Sequence, residues 1–238
     1  SCKITKERMM SIQSDILNFD AIKPFVNEAD VVHHLAGITD VAYVKKDMNK
    51  EKDDLIIKTA LNGTENVLKA MNNSAKIIFP STHVVFEGLK DQKQNIDENE
   101  QTNTFLPYST SKVENENQIK NSGKKFVIFR LGSVYGFSTD TMRINIMPNL
   151  FSKITSQNGT IKLFGGGLQL KTLVPLIDVA RCFKYAEEQE NFKDGIYNLS
   201  KENLTVKDVA DICKKINSKL ELKFTDDEIP NKGYSLSN

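Results

Sequence analysis

Three short apolar runs, separated by stretches with helical rhythm, constrain this chain more than any other feature. They are Ala29-Asp30-Val31-Val32-His33-His34-Leu35, Lys76-Ile77-Ile78-Phe79 and Phe126-Val127-Ile128-Phe129. Each is too short for a buried helix, is β-branched or aromatic, and lacks the polar alternation of a half-exposed strand. Runs of this kind belong in a parallel sheet covered on both faces. Between the first two, Ile56, Ala60, Gly63, Val67 and Ala70 recur at helical spacing, an apolar stripe for such a cover. Strand, helix, strand, helix at this cadence predicts a βαβ series and a doubly wound α/β sheet.

Bulk properties exclude several function classes. The 238 residues carry a formal net charge of +1, with both signs mixed along the chain. No block of one sign suggests a nucleic-acid or membrane partner. No apolar run is long enough to span a bilayer, and no signal peptide is recognisable. Cys2, Cys182 and Cys213 are odd in number and far apart, which suits a reducing cytoplasm better than a disulfide scaffold. The three histidines show no metal-ligand spacing with them, so no metal is expected.

The second half differs in character. Residues 140–172 are mixed and include Gly165-Gly166-Gly167. A helix is expected near Asp178, and another opens at Thr205 with Asp208 three residues on as its capping partner. Its apolar face would be Val206, Val209, Ala210, Cys213 and Ile216. This pattern predicts a smaller α+β lobe against the sheet, with a substrate cleft between.

Chemistry enters at Tyr108 and Lys112, in Pro107-Tyr108-Ser109-Thr110-Ser111-Lys112. Positions i and i+4 share a helix face, so phenol and ammonium can point into one cavity. Bringing a tyrosine from a pKa near ~10 to about 7 takes roughly 4 kcal/mol, and a fixed cation is one way to supply it. So tuned, the phenol could exchange a proton with a substrate hydroxyl. Spacing alone also fits two polar residues on an exposed helix. A second copy, Tyr197 and Lys201, follows Gly195-Ile196 and reads as a strand end, where a turn would part the side chains.

In order along the chain, His34-Leu35-Ala36-Gly37, Asn62-Gly63-Thr64-Glu65-Asn66, Pro80-Ser81-Thr82-His83-Val84-Val85-Phe86-Glu87-Gly88, Tyr108 to Lys112, Arg130-Leu131-Gly132-Ser133-Val134-Tyr135-Gly136 and Gly165 to Ala180 form a series. Together they resemble the extended short-chain dehydrogenase/reductase family, also called the NAD-dependent epimerase/dehydratase family. The likeness runs from about residue 15 to about residue 199.

The resemblance implies a Rossmann-type fold that binds NAD or NADP, and a Thr-Tyr-Lys site of Thr82, Tyr108 and Lys112. Tyr108 would be the acid/base. Lys112 would lower its pKa and hydrogen-bond the nicotinamide ribose, and Thr82 would hold the reacting oxygen. Cofactor contacts would come from Asp15, Ile16, Leu35, Ala36, Gly37, Ser81 and Leu131 as well as Tyr108 and Lys112. Substrate contacts would come from Thr82, His83, Ser133 and Lys171. Residues 1–140 with 173–200 would form the cofactor-binding domain, and 141–172 with 201–238 the substrate lobe. A nucleotide sugar is the expected substrate, through epimerase or reductase chemistry. Dehydratases usually place an acidic pair where His83-Val84 stand. A non-catalytic nucleotide-binding relative and a reductase of non-sugar alcohols or ketones are the alternatives. The helices around Gly63 and Tyr108 would form a homodimer face.

Several positions depart from the family. The expected N-terminal strand, glycine-rich turn and helix have no counterpart, because Ser1-Cys2-Lys3-Ile4 resembles the approach to the third strand. The expectation is therefore a fragment of a longer protein. Ser133 stands where Asn often contacts the sugar phosphate, and Lys171 replaces an Arg, keeping charge but losing the bidentate fork.

Overall fold

The computed structural model describes residues 10–39, 49–139, 142–227 and 232–237. The opening Ser1–Ile4, with Cys2, lies outside them. The chain forms a mixed α/β fold around a parallel sheet. Its strands are β1 (Val31–His33), β2 (Lys76–Thr82), β4 (Lys125–Leu131) and β8 (Gly195–Leu199), in the order β1-β2-β4-β8. All three pairings are parallel, with Val32 opposite Ile77, Ile78 opposite Val127 and Phe129 opposite Tyr197.

The apolar runs form this sheet because alternate side chains point to opposite faces and both faces are covered. Ile77, Phe79 and Ile128 pack with Ile22 of α1 (Phe19–Glu28), Val67 of α2 (Lys50–Ala70) and Ile119 of α3 (Pro107–Lys120). On the other face Ile78, Val127 and Phe129 pack with Ala186 of α5 (Leu176–Glu188). Ile77, Ile78, Val127 and Ile128 are fully buried, each stabilising the sheet by about 1.5–3 kcal/mol. The first run is shorter as a strand than its sequence suggests. Pairing stops at His33, and His34 instead turns inward to contact α2.

Two lysines, Lys76 buried and Lys124 half-buried, fasten helix ends. Lys76 donates to the carbonyls of Ala186 and Gln189, both at 2.8 Å, at the end of α5. Lys124 donates to Met71, 2.8 Å, at the end of α2. Each ammonium meets carbonyls that the helix leaves without partners.

The second half contains α4 (Met147–Ser156), β6 (Thr160–Phe164), α6 (Val206–Ile216) and β10 (Glu221–Thr225), joined by a cluster of Phe151, Ile161, Leu163, Val209, Ala210, Cys213 and Leu220. β6 and β10 pair in parallel. β5 (Ser133–Tyr135), β7 (Leu170–Pro175) and β9 (Glu202–Thr205) make a three-stranded sheet. The Thr205 cap is formed as the sequence predicts: its hydroxyl accepts from Asp208 N, and the Asp208 carboxylate accepts from Thr205 N at 2.8 Å. The helix expected near Asp178 is α5, and Gly165–Gly167 form a short 3-10 turn. Finally, β11 (Tyr234–Leu236) pairs in parallel with β3 (Lys93–Ile96).

Candidate active site

The parallel strands point their C-terminal ends one way, and the chemistry-bearing residues gather there. β2 ends at Thr82, whose hydroxyl accepts from Val84 N at 3.3 Å and caps the 3-10 turn His83–Phe86. That turn packs beside the first turn of α3, which carries Tyr108. One turn further on, the Lys112 ammonium donates to the Pro80 carbonyl at 3.0 Å. It sits 4.4 Å from the centre of the Phe79 ring and 5.9 Å from that of Tyr108. Tyr108 and Lys112 thus lie side by side on α3, and Lys112 is held to the strand that ends at Thr82.

α3 begins at Pro107, and its N-cap residue Leu106 has no side-chain cap. Glu87 supplies the missing acceptor. Its carboxylate takes hydrogen bonds from Leu106 N at 2.9 Å, Phe105 N at 3.4 Å and the Ser109 hydroxyl. A carboxylate at a helix N-terminus satisfies free N–H groups and opposes the helix dipole. Gly88 allows the approach: a Cβ there would lie 2.1 Å from Asn103 Oδ1.

Behind the trio lies a buried ionic knot. Glu116 accepts from Arg130 Nη2 at 2.8 Å and Nε at 3.1 Å, and from the Ser81 hydroxyl at 2.5 Å. Ser81 is 3% exposed. Its hydroxyl thus faces Glu116 and the interior.

The electrostatics differ from the simple expectation that Lys112 lowers the Tyr108 pKa. Burial pushes the Tyr108 phenol up, and the cation that opposes this is Arg143. Lys112 is itself drawn down to about 8 by burial, with Glu116 acting against that. A phenol in this state carries its proton at neutral pH and can donate it.

The motif residues of α2 hold the neighbouring segment. Gly63 lets Ile16 rest on the helix, since a Cβ there would meet Ile16 Cδ1 at 2.3 Å, and Asn66 Nδ2 donates to Ile16 O at 3.0 Å. Asp15 Oδ1 accepts from Leu17 N at 2.9 Å, closing a turn. Thr64 Oγ1 meets His34 Nε2 at 2.9 Å. His34 is a buried core residue drawn down to about 4, by burial first and then by Lys112. Beyond it Leu35, Ala36 and Gly37 are exposed, and a Cβ on Gly37 would meet nothing within 4 Å. Leu131 ends β4 opposite Thr82.

Three of the four expected substrate residues, His83, Ser133 and Lys171, lie near one another. His83 Nε2 lies 3.2 Å from Ser133 Oγ, and its ring stacks obliquely on Tyr234 at 5.6 Å. Burial, then the charge of Lys171, draws His83 down to about 3, so it is neutral; its Nδ1 is buried without a partner. Lys171 is in turn lowered by burial. Tyr197 lies within β8 and its hydroxyl donates to Lys193 O at 2.7 Å, so the second Tyr-x-x-x-Lys copy belongs to the sheet edge. Sequence reasoning missed Glu116, Arg143 and Tyr234. Glu116 alone left a trace, as the third member of an i, i+4, i+8 series with Tyr108 and Lys112.

Comparison with known proteins identifies the family and the fold. The sequence model of the NAD dependent epimerase/dehydratase family matches residues 2–200. A putative UDP-glucose 4-epimerase of Methanocaldococcus jannaschii is 30% identical over 159 residues, which is 64% of this chain and 51% of the relative. The chain thus spans about half the length of that curated relative. Among solved structures, UDP-glucose 4-epimerase of Thermotoga maritima with UDP-glucose superposes with TM-score 0.79 at 19% identity, over 98% of this chain and 77% of that one. The Thermus thermophilus UDP-glucose 4-epimerase complex with NAD gives 0.76 at 20% identity, over 98% and 79%. A dTDP-4-dehydrorhamnose reductase of Clostridium acetobutylicum gives 0.72 at 25% identity, over 94% and 78%.

Proposed function

Because the chain belongs to the NAD dependent epimerase/dehydratase family, we propose that it serves NAD(P)-linked oxidation and reduction of a nucleotide sugar, as an epimerase or a reductase. The observation that carries this reading is Lys112, half-buried beside Tyr108 and anchored to the carbonyl of Pro80 on the strand that ends at Thr82. A 30% identical relative described as a putative UDP-glucose 4-epimerase supports a UDP-sugar as the first substrate to try.

The residues fit a nicotinamide dinucleotide. Leu35–Gly37 form an open ledge directly after His34, which feels the Lys112 charge, and the glycine leaves room for close approach. Leu35, Ala36 and Gly37 would border the cofactor, Asp15 and Ile16 its adenosine end, and Lys112 its ribose. A nicotinamide bound there would supply reversible hydride transfer at the carbinol carbon. Tyr108 would move the proton of the same hydroxyl, with Thr82 orienting that oxygen and Lys112 holding positive charge beside the phenol. Lys171, with His83 and Ser133, would meet the substrate away from the reacting carbon. A homodimer through α2 and α3 belongs to the same reading.

The test uses the full-length protein with NAD(H) or NADP(H) and UDP-sugars. Tyr108→Phe should lower turnover by about 100-fold or more, with nucleotide binding and melting temperature retained. Near wild-type rates in that variant would refute the assignment of Tyr108.

A further inference from the structure

We propose that Glu116 is a positioning residue of this site: its one buried carboxylate fastens the Lys112 face of α3 to the ends of β2 and β4 and stands as counter-charge to the Lys112 ammonium. The proposal rests on the functional reading above and deepens it.

The geometry is specific. Tyr108, Lys112 and Glu116 follow one another at i, i+4 and i+8, so one face of α3 presents phenol, ammonium and carboxylate in sequence. Glu116 is 2% exposed and Arg130 is 4% exposed. Each carboxylate oxygen is engaged: Oε1 by Ser81 and Arg130 Nε, Oε2 by Arg130 Nη2. Ser81 lies between Pro80, whose carbonyl holds the Lys112 ammonium, and Thr82. A shift of Glu116 would therefore move the strand that carries both the ammonium's acceptor and the threonine hydroxyl. Arg130 is braced separately, by the Glu98 carbonyl at 3.2 Å and over the Phe86 ring at 5.4 Å.

A desolvated ammonium favours losing its proton, and a nearby carboxylate opposes that. The titratable and charged groups about the ammonium include His34 beyond β1, Tyr108 and Glu116 on α3, Arg130 on β4 bound to Glu116, and Arg143, whose charge reaches Tyr108. His34 and Tyr108 are both neutral at pH 7, the one drawn down and the other pushed up. Glu116 is thus the negative charge that favours the protonated lysine. A purely structural ion pair would hold the fold together without changing when Lys112 titrates, and that difference makes the role testable.

The experiment follows the Lys112 side chain by NMR in protein carrying 13C-labelled lysine, assigned by its loss in Lys112→Met. It is paired with pH profiles of kcat and KM for a UDP-sugar with NAD(H). Glu116→Gln should move the Lys112 midpoint to lower pH by about one unit, a tenfold change in its proton affinity. The alkaline limb of kcat should move with it, while KM for the UDP-sugar changes by no more than about threefold. Glu116→Gln leaves a guanidinium buried without an anion, so Glu116→Gln/Arg130→Gln is the companion variant that removes both charges. It should keep the direction of the midpoint shift. An unchanged Lys112 midpoint in either folded variant overturns the proposal. Absence of NAD(P)-linked turnover in the unsubstituted protein would instead strike the functional reading, and the NMR titration would still decide the role of Glu116.

Discussion

Stability in mild acid should depend on His34, by an amount that the structure sets. The ring is 4% exposed, meets Thr64 Oγ1 at 2.9 Å and lies against Phe79 at 5.6 Å. Burial and the Lys112 charge hold its pKa at about 4, against 6.5 for a solvated histidine. The unfolded chain therefore takes up this proton first as pH falls. Stability from a neutral His34 is fully present above about pH 6.5 and is lost progressively towards pH 4. With those two values, linkage gives a loss of about 2 kcal/mol between pH 7 and pH 5, approaching about 3 kcal/mol by pH 4. His34→Gln removes the titration and keeps an amide donor for Thr64. Urea unfolding of both proteins at pH 7, 6 and 5 isolates the effect, because His83 and every carboxylate remain in both. The original protein should lose its advantage over the variant by about 2 kcal/mol across that range. A stability difference constant to within about 0.5 kcal/mol would refute the buried, neutral state of His34.

Two further substitutions probe how the site is supported. Gly63→Ala should destabilise by about 1–3 kcal/mol in urea unfolding, because its Cβ would fall 2.3 Å from the Cδ1 of a stiff, β-branched Ile16. Adding Ile16→Val to that variant should recover part of the loss, whereas no recovery would locate the clash elsewhere. Thr205→Ala should cost about 1 kcal/mol by removing the hydroxyl half of the α6 capping box, read as a lower urea midpoint at unchanged slope.

What could be read from the sequence divides along a physical line. The runs at 77–79 and 126–129 announced themselves because burial on both faces leaves an uninterrupted apolar string. The Thr205 cap was equally plain, since both partners lie within one turn. α3 is the opposite case. Its buried positions include Ser109, Ser111, Asn115 and Glu116, so it lacks the apolar stripe that marks an interior helix. Its partners are supplied from afar: Glu87 for Ser109, the Ala60 carbonyl for Asn115, and Arg130 and Ser81 for Glu116. Such matches exist only in three dimensions. Tyr108 and Lys112 could be singled out in this polar helix by the family motif, whereas the charges that tune them could not. Nothing local reveals, either, that the Ser81 hydroxyl meets a buried carboxylate.

The pairing of β3 with β11 ties the site to the order in which the chain is made. Ile96 and Leu236 lie opposite each other although 140 residues separate them, and Tyr234 and Leu236 cover Val85, Phe86 and Ile96 beneath the turn that follows Thr82. A nascent chain leaving the ribosome will have emitted Thr82, Tyr108 and Lys112 long before Tyr234 emerges. Until then Phe86 and Ile96 lack their lid, and His83 lacks the ring it stacks upon. This end of the sheet should thus be among the last regions to become rigid during synthesis, and among the most dependent on chaperones while it waits.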